Sequence, residues 1–185
     1  MALNAYLTLA GQNQGPIQGS VTQKGREGKI MVIAVEHELL SPHDAASGMA
    51  TGKRLHKPFV VTKELDKSSP LLRTAWATNE VFSTWELQFW TANRIGTAGS
   101  AAGAEKQHYT VKLGGARLTS IHFHMLNNKN PDLLRYAEFE ELAFSYQKIE
   151  WTWVATGATS SDTWGSARAA RRAPAAGPRS RTPKA

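Results

Sequence analysis

VFSTWELQFW, residues 81–90, is the stretch on which the fold turns. Val81, Trp85, Leu87 and Phe89 share one side of an extended chain, with Thr84, Glu86 and Gln88 opposite. That period of two belongs to a half-buried strand. Trp85 and Trp90 differ in parity, so they point to opposite faces. Aromatics on both faces of a long strand suit a subunit whose β-surface is covered by more than its own core.

Upstream lies the clearest helix signal in the chain. Ser69 offers a capping hydroxyl, Pro70 suits the first helical position, and Leu71, Leu72, Ala75 and Trp76 form one apolar stripe ending near Asn79. Before it, Phe59–Thr62 reads as strand. Ser41–Pro58 has two prolines, two glycines and no usable periodicity, so a long loop is expected there. Lys29–Leu40 reads as one strand rich in Ile and Val, and Leu3, Ala5, Leu7 and Leu9 alternate in the first strand, Ala2–Leu9.

Downstream, Arg94–Lys106 is a small-residue, flexible connection. Tyr109–Leu113 alternates, and Gly114–Gly115 predicts a tight hairpin into Ala116–Met125. Glu141–Val154 is the last long strand and ends in Trp151 and Trp153. Many strands, one short helix and frequent turn signals give a mainly β fold, a β-barrel or sandwich with a flanking α-helix.

Composition narrows the function. The 185 residues suit one domain with an extra segment, and there are no cysteines for disulfides, thiolate chemistry or cysteine–zinc sites. Ile30–Val35 is far too short to span a bilayer, and the N-terminus lacks the basic and apolar regions of a signal peptide. The net charge of +7 is concentrated late in the chain, in Arg168, Arg171, Arg172, Arg179, Arg181 and Lys184. Without those six, 16 basic residues face 15 acidic ones, so the body carries no footprint for phosphate backbones. The division expected is a β-domain over residues 1–154 and a basic Ala/Arg/Pro-rich disordered tail over 155–185.

Few constellations carry chemistry. His122 and His124 share a strand face and could hold a metal, but no third ligand lies nearby in sequence, and a polar outward face is the expectation. Ser41, His43 and Asp44 are triad residue types crowded into one loop, without a G-x-S-x-G elbow. Glu138, Glu140 and Glu141 read as a solvated strand entrance. No phosphate loop or dinucleotide fingerprint is present, and no cofactor, metal or catalytic residue is expected. Two other readings stand beside a structural one: a nucleic-acid or surface-binding module acting through the basic tail, and a small hydrolase built on Ser41, His43 and Asp44.

Four ordered runs nevertheless point to one family: NAYLTLAGQNQGPIQGSVTQKGREGKI (Asn4–Ile30), SPHDAASGMATGKRLHKPFVVTKELDKSSPLL (Ser41–Leu72), VFSTWELQFW, and YQKIEWTW (Tyr146–Trp153). Over residues 1–154 the chain resembles the Hcp (hemolysin-coregulated protein) family of type VI secretion. The resemblance implies a phage tail-tube-like β-barrel whose protomers form hexameric rings that stack into a tube. It implies no enzyme activity and no membrane insertion. Its implied partners are other copies, the sheath, baseplate and spike components, and small effector proteins in the lumen. Export from the bacterial cytoplasm without a signal peptide follows from the same likeness. Residues 94–108 and the tail are extensions beyond the family pattern. In the long loop, Pro42, Pro58 and Thr51 restrict the backbone while His43, Asp44, Lys53, Arg54 and His56 offer directional contacts. With the family's use of an extended loop here in assembly, they are the expected contacts to a neighbouring copy. Trp85, Trp90, Trp151 and Trp153 are the expected strand-packing or interface residues.

Overall fold

The computed structural model describes residues 4–92 and 105–164. The strands are β1 (Asn4–Gly11), β2 (Gly15–Ile17), β3 (Ile30–Val32), β4 (Ala34–Glu36), β5 (Leu39–Leu40), β6 (Leu55–His56) and β7 (Phe59–Glu64). After helix α1 (Ser69–Ala77) come β8 (Val81–Ala92), β9 (Glu105–Gly114), β10 (Ala116–His124), β11 (Phe139–Ser145), β12 (Lys148–Trp153) and β13 (Ala158–Thr163). The fold is mainly β with one α-helix, as the alternating patterns imply.

Antiparallel pairs run in a circuit: β8 with β1, β1 with β3, β4 with β7, β7 with β11, β11 with β10, and β10 back to β8. Between β3 and β4 the chain bends at Ile33, whose N–H bonds the Thr62 carbonyl. The strand expected over Lys29–Leu40 is therefore three short ones, because each piece pairs with a different neighbour. Beyond the barrel, β9, β12 and β13 form a wing on the free half of β8.

Gly114–Gly115 does not make a hairpin. The strands on either side of it pair with β8 at the same offset across the glycines, Lys112 opposite Glu86 and Ala116 opposite Phe82. The chain keeps its direction and bends at Gly115, whose φ of 63° a side chain would resist. The neighbouring strand bends at the same level, since β11 and β12 run along β10 and β9 in one register through Tyr146–Gln147. Across this line burial steps by three residues instead of two: Phe82 to Trp85, Leu113 to Ala116, and Tyr146 to Ile149 are all buried. For β8 the cause is visible, because the register against β1 shifts between Ala10 and Gly11 and leaves Ser83 extra. Phe82 is thus the buried residue there, and Val81 is half-buried.

The core gathers Leu7, Leu9, Ile30, Val61, Trp85, Leu87, Leu142 and Phe144, with Leu72 and Ala75 of α1. Leu71 and Trp76, expected in the same stripe, stay exposed; the Trp76 indole donates to the Thr119 carbonyl at 3.2 Å. Two charges also point inward. Lys63 and Glu140 oppose each other on β7 and β11 and have no exposure. Lys63 Nζ lies 2.9 Å from Glu140 Oε1 and donates to Asp66 Oδ1 at 3.0 Å and Ser69 Oγ at 3.0 Å. Ser69 Oγ in turn donates to Glu140 Oε1 at 2.8 Å.

Two expectations are corrected here. Glu140 is a buried ion-pair member, not a solvated acid; of the cluster, only Glu138 is fully exposed. Ser69 is not the cap either: Ser68 holds that position without a side-chain capping bond, and Ser69 is the first helical residue. A buried charge needs partners more than a helix end needs a hydroxyl. Burial pushes the Asp66 carboxyl up, but the hydrogen bonds from Ser68 and Lys63 outweigh it and the net shift is downward. Glu140→Ala is expected to lower the unfolding free energy by about 3–5 kcal/mol, because it strands the Lys63 charge, while Lys63→Met with Glu140→Leu recovers most of the loss. Denaturant titration of the three proteins checks this.

Candidate assembly site

Residues 39–56 are a projecting arm. Leu39 pairs with His56 and Leu40 with Leu55, His43 bridges Ala50, and Thr51 N–H bonds the Pro42 carbonyl. The expected irregular loop is thus a strand-like hairpin whose pairing no periodicity announces. Its tip is turned by Asp44, whose carboxylate accepts from Ala46 N–H and from the Ser47 N–H and hydroxyl. These bonds, led by the Ser47 hydroxyl, hold the Asp44 carboxyl below its usual range. Leu39, Leu40, Leu55 and Met49 are all exposed, Met49 by 70%. An arm this apolar has no cover from its own barrel.

The base of the arm is fixed by polar contacts. His56 Nε2 lies 3.1 Å from Asp162 Oδ2, and Arg54 Nη2 donates to Asp162 Oδ1 at 2.8 Å. His56 Nδ1 is 3.1 Å from the Tyr146 hydroxyl, which is also 2.7 Å from His37 Nε2. One proton arrangement with neutral rings satisfies every atom: His37 Nε2–H donates to Tyr146, Tyr146 O–H donates to His56 Nδ1, and His56 Nε2–H donates to Asp162. Burial, reinforced by the Asp162 charge, pushes the Tyr146 phenol up to about 12. Burial, with the neighbouring His56 as a lesser electrostatic cause, pushes His37 down.

The expected contact residues therefore divide. His43, Asp44, Thr51, Lys53 and Arg54 are exposed along the arm and Pro42 is half-buried. His56 is 5% exposed and anchors the arm instead of reaching outward. Trp85 is core. Trp90 lies on the opposite face under the Arg26 guanidinium, 3.9 Å from its ring centre, and Arg26 also pairs with Glu105. Trp151 packs against the core, whereas Trp153, beside Tyr109 and His108, is 47% exposed. Ile149, Trp151 and Trp153 share a face, so the apolar interior runs out onto the wing surface.

Asp162 was the hardest to foresee. Residues 158–163 belong to a strand paired with β12 along its whole length, so the expectation of disorder from residue 155 is corrected there. ATSSDT has no apolar alternation; it is held by backbone bonds and by Asp162. The basic residues from Arg168 onward, with the nucleic-acid reading built on them, and residues 94–104 of the expected insertion lie outside the described residues.

The triad types do not converge: His43 Nδ1 meets the main-chain oxygen of Ser41 at 2.6 Å, and Asp44 is taken up by Ala46 and Ser47. His122 and His124 do acquire a third group, Glu141, across the ladder. Among the described residues, no helix is long and apolar enough to cross a membrane.

The family model described as "Type VI secretion system effector, Hcp" matches residues 6–153. The chain belongs to the Hcp family. This places it in type VI secretion, and its relatives agree. The "Major exported protein" of Pseudomonas aeruginosa is 36% identical over 173 residues, covering 89% of this chain and 96% of that one. Hcp1 from E. coli EAEC 042 is 32% identical with a TM-score of 0.74, over 88% of this chain and 99% of that structure. The secreted protein Hcp3 from Pseudomonas aeruginosa is 31% identical with a TM-score of 0.69, over 89% and 100%.

Two outcomes follow from the base of the Hcp arm. Asp162→Ala removes a carboxylate that both Arg54 and His56 use, so trypsin is expected to cut at Lys53 and Arg54 several-fold faster while the barrel stays intact; a digestion time course reads this. The depressed His37 also has a signed consequence. Below its ordinary pKa of roughly 6.5 the unfolded chain takes up a proton that the folded chain refuses. Its contribution to stability is therefore complete above that pH and is lost as pH falls through the folded value. The slope of unfolding free energy against pH below about 6.5 should flatten in His37→Gln.

Proposed function

We propose that this chain is the tube subunit of a type VI secretion system. Six copies close head to tail into a ring, rings stack into a tube, and the lumen carries small effector proteins. The tube works with sheath, baseplate and spike components after synthesis in the bacterial cytoplasm, and its role is structural rather than catalytic. The observation that carries this reading is the arm: its base is fixed by His56, Arg54 and Asp162, while Leu39, Leu40, Met49 and Leu55 stand clear of the barrel. Such a feature is stable where a neighbouring copy covers it. The apolar wing ending at Trp153 supplies a second surface, and two unlike surfaces on one chain are what a cyclic head-to-tail contact uses.

Light scattering of the purified chain is expected to give a particle of about 120 kDa, six copies of 20.2 kDa. Replacing residues 43–52 by a short Gly-Ser turn leaves β5, β6 and the His56 anchor in place, so it should keep the barrel's spectrum and lower the mass towards the monomer. A folded parental chain that stays monomeric at micromolar concentration overturns the proposal. An arm-shortened chain that still forms and exports rings removes the arm from it.

A further inference from the structure

His122 and His124 stand two apart on β10, so both imidazoles lie on one face. The register of β10 against β11 sets Glu141 directly opposite His122, and Phe139 opposite His124. The faces agree, because Glu140 and Leu142 turn into the barrel and leave Glu141 outside with the two histidines. One nitrogen of each ring and one oxygen of Glu141 lie within 4.8 Å of one another.

A second observation points to a ligand. His124 Nε2 is shielded from solvent and has no hydrogen-bond partner among the described residues; Glu141 Oε2 is 3.8 Å away. That separation exceeds hydrogen-bond reach. The ring is also held, stacked on Phe139 with centres 4.8 Å apart and planes 18° from parallel. Its nitrogen is therefore fixed at a place where no described residue gives it a hydrogen bond. The His122 ring, 4.1 Å away between centres, is exposed and gives an approach from solvent. The histidines of the arm base differ, since His37 and His56 already use ring nitrogens on Tyr146 and Asp162.

We propose that His122, His124 and Glu141 bind one divalent transition-metal ion of the zinc class, with water completing the coordination. Two imidazoles and one carboxylate suit zinc, cobalt or nickel, whereas calcium and magnesium prefer sites made wholly of oxygen. With metal–ligand bonds of about 2.0–2.2 Å, a tetrahedral site sets its ligand atoms about 3.3 Å apart. The three groups need to draw in by about 1.5 Å at most, which rotation of the exposed His122 and half-exposed Glu141 side chains achieves about a fixed His124.

The test uses the full chain in its purified assembly state, stripped with chelator and titrated with zinc chloride by calorimetry. One zinc per chain is expected. His122→Asn with His124→Asn should abolish it, Glu141→Gln should weaken it at least tenfold, and substitution of the exposed Glu138 by Gln, outside the cluster, should leave it unchanged. Cobalt(II) added to the unaltered chain should develop the intense visible absorption of a four-coordinate ion, independent of whether any variant folds. Zinc uptake that survives the double substitution, or that disappears with Glu138→Gln, overturns the proposal. So does cobalt that keeps the weak spectrum of its six-coordinate aquo ion.

Discussion

Everything outside the barrel depends on a bend shared by three adjacent strands. Gly115 takes a left-handed conformation, Ser83 is an extra residue in β8, and Tyr146–Gln147 turns at the same level. Because the ladders keep the same offset across the bend, the upper halves of these strands leave the barrel without losing their partners. The wing is thereby hydrogen-bonded along its length instead of hanging from a loop. Gln147 fixes the corner from both sides: its N–H bonds the Gly114 carbonyl, and its carbonyl accepts from Trp164 N–H. The left-handed φ of 63° at Gly115 is what disfavours a side chain at the corner, since the Gln147 side chain that a Cβ would meet can swing aside.

The arm inherits its position from that bend. The wing carries β13, β13 carries Asp162, and Asp162 holds Arg54 and His56 at the base of the arm. An element near the start of the fold is thus oriented by one of its last residues. The contacts divide the work sensibly. Polar groups at the base are directional, so they set an angle; leucines and a methionine beyond them are non-directional and gain from any apolar cover.

Much of this was legible in the sequence, and what was not has physical reasons. VFSTWELQFW announced a strand because one of its faces enters the core, and SPLLRTAW announced a helix because Pro70 and the Leu72–Ala75 stripe obey helical spacing. The Gly-Gly pair misled because a hairpin and a bend need the same residue; only long-range pairing with β8 distinguishes them. β13 was invisible, being an edge strand with no apolar face. Glu140 looked solvated because its partners, Lys63 and Ser69, lie 77 and 71 positions earlier in the chain. The third group beside His122 and His124 was missed for the same reason, since a cross-strand register is not written into local spacing.

For the proposed assembly, the two apolar surfaces also bear on how copies would meet. If the arm were to dock on an identical arm, the contact would be two-fold and would close at a dimer, leaving the Trp153 face uncovered. An arm that docks on a different surface of its neighbour leaves one free arm and one free acceptor at each step, and growth stops only when the rotation closes the ring. The angle of the arm then decides whether a closed ring or an open helix results. That angle is set by His56, Tyr146 and Asp162 rather than by the exposed leucines. Substitutions at the arm's apolar tip should weaken association, whereas substitutions at its base should alter the geometry of what forms.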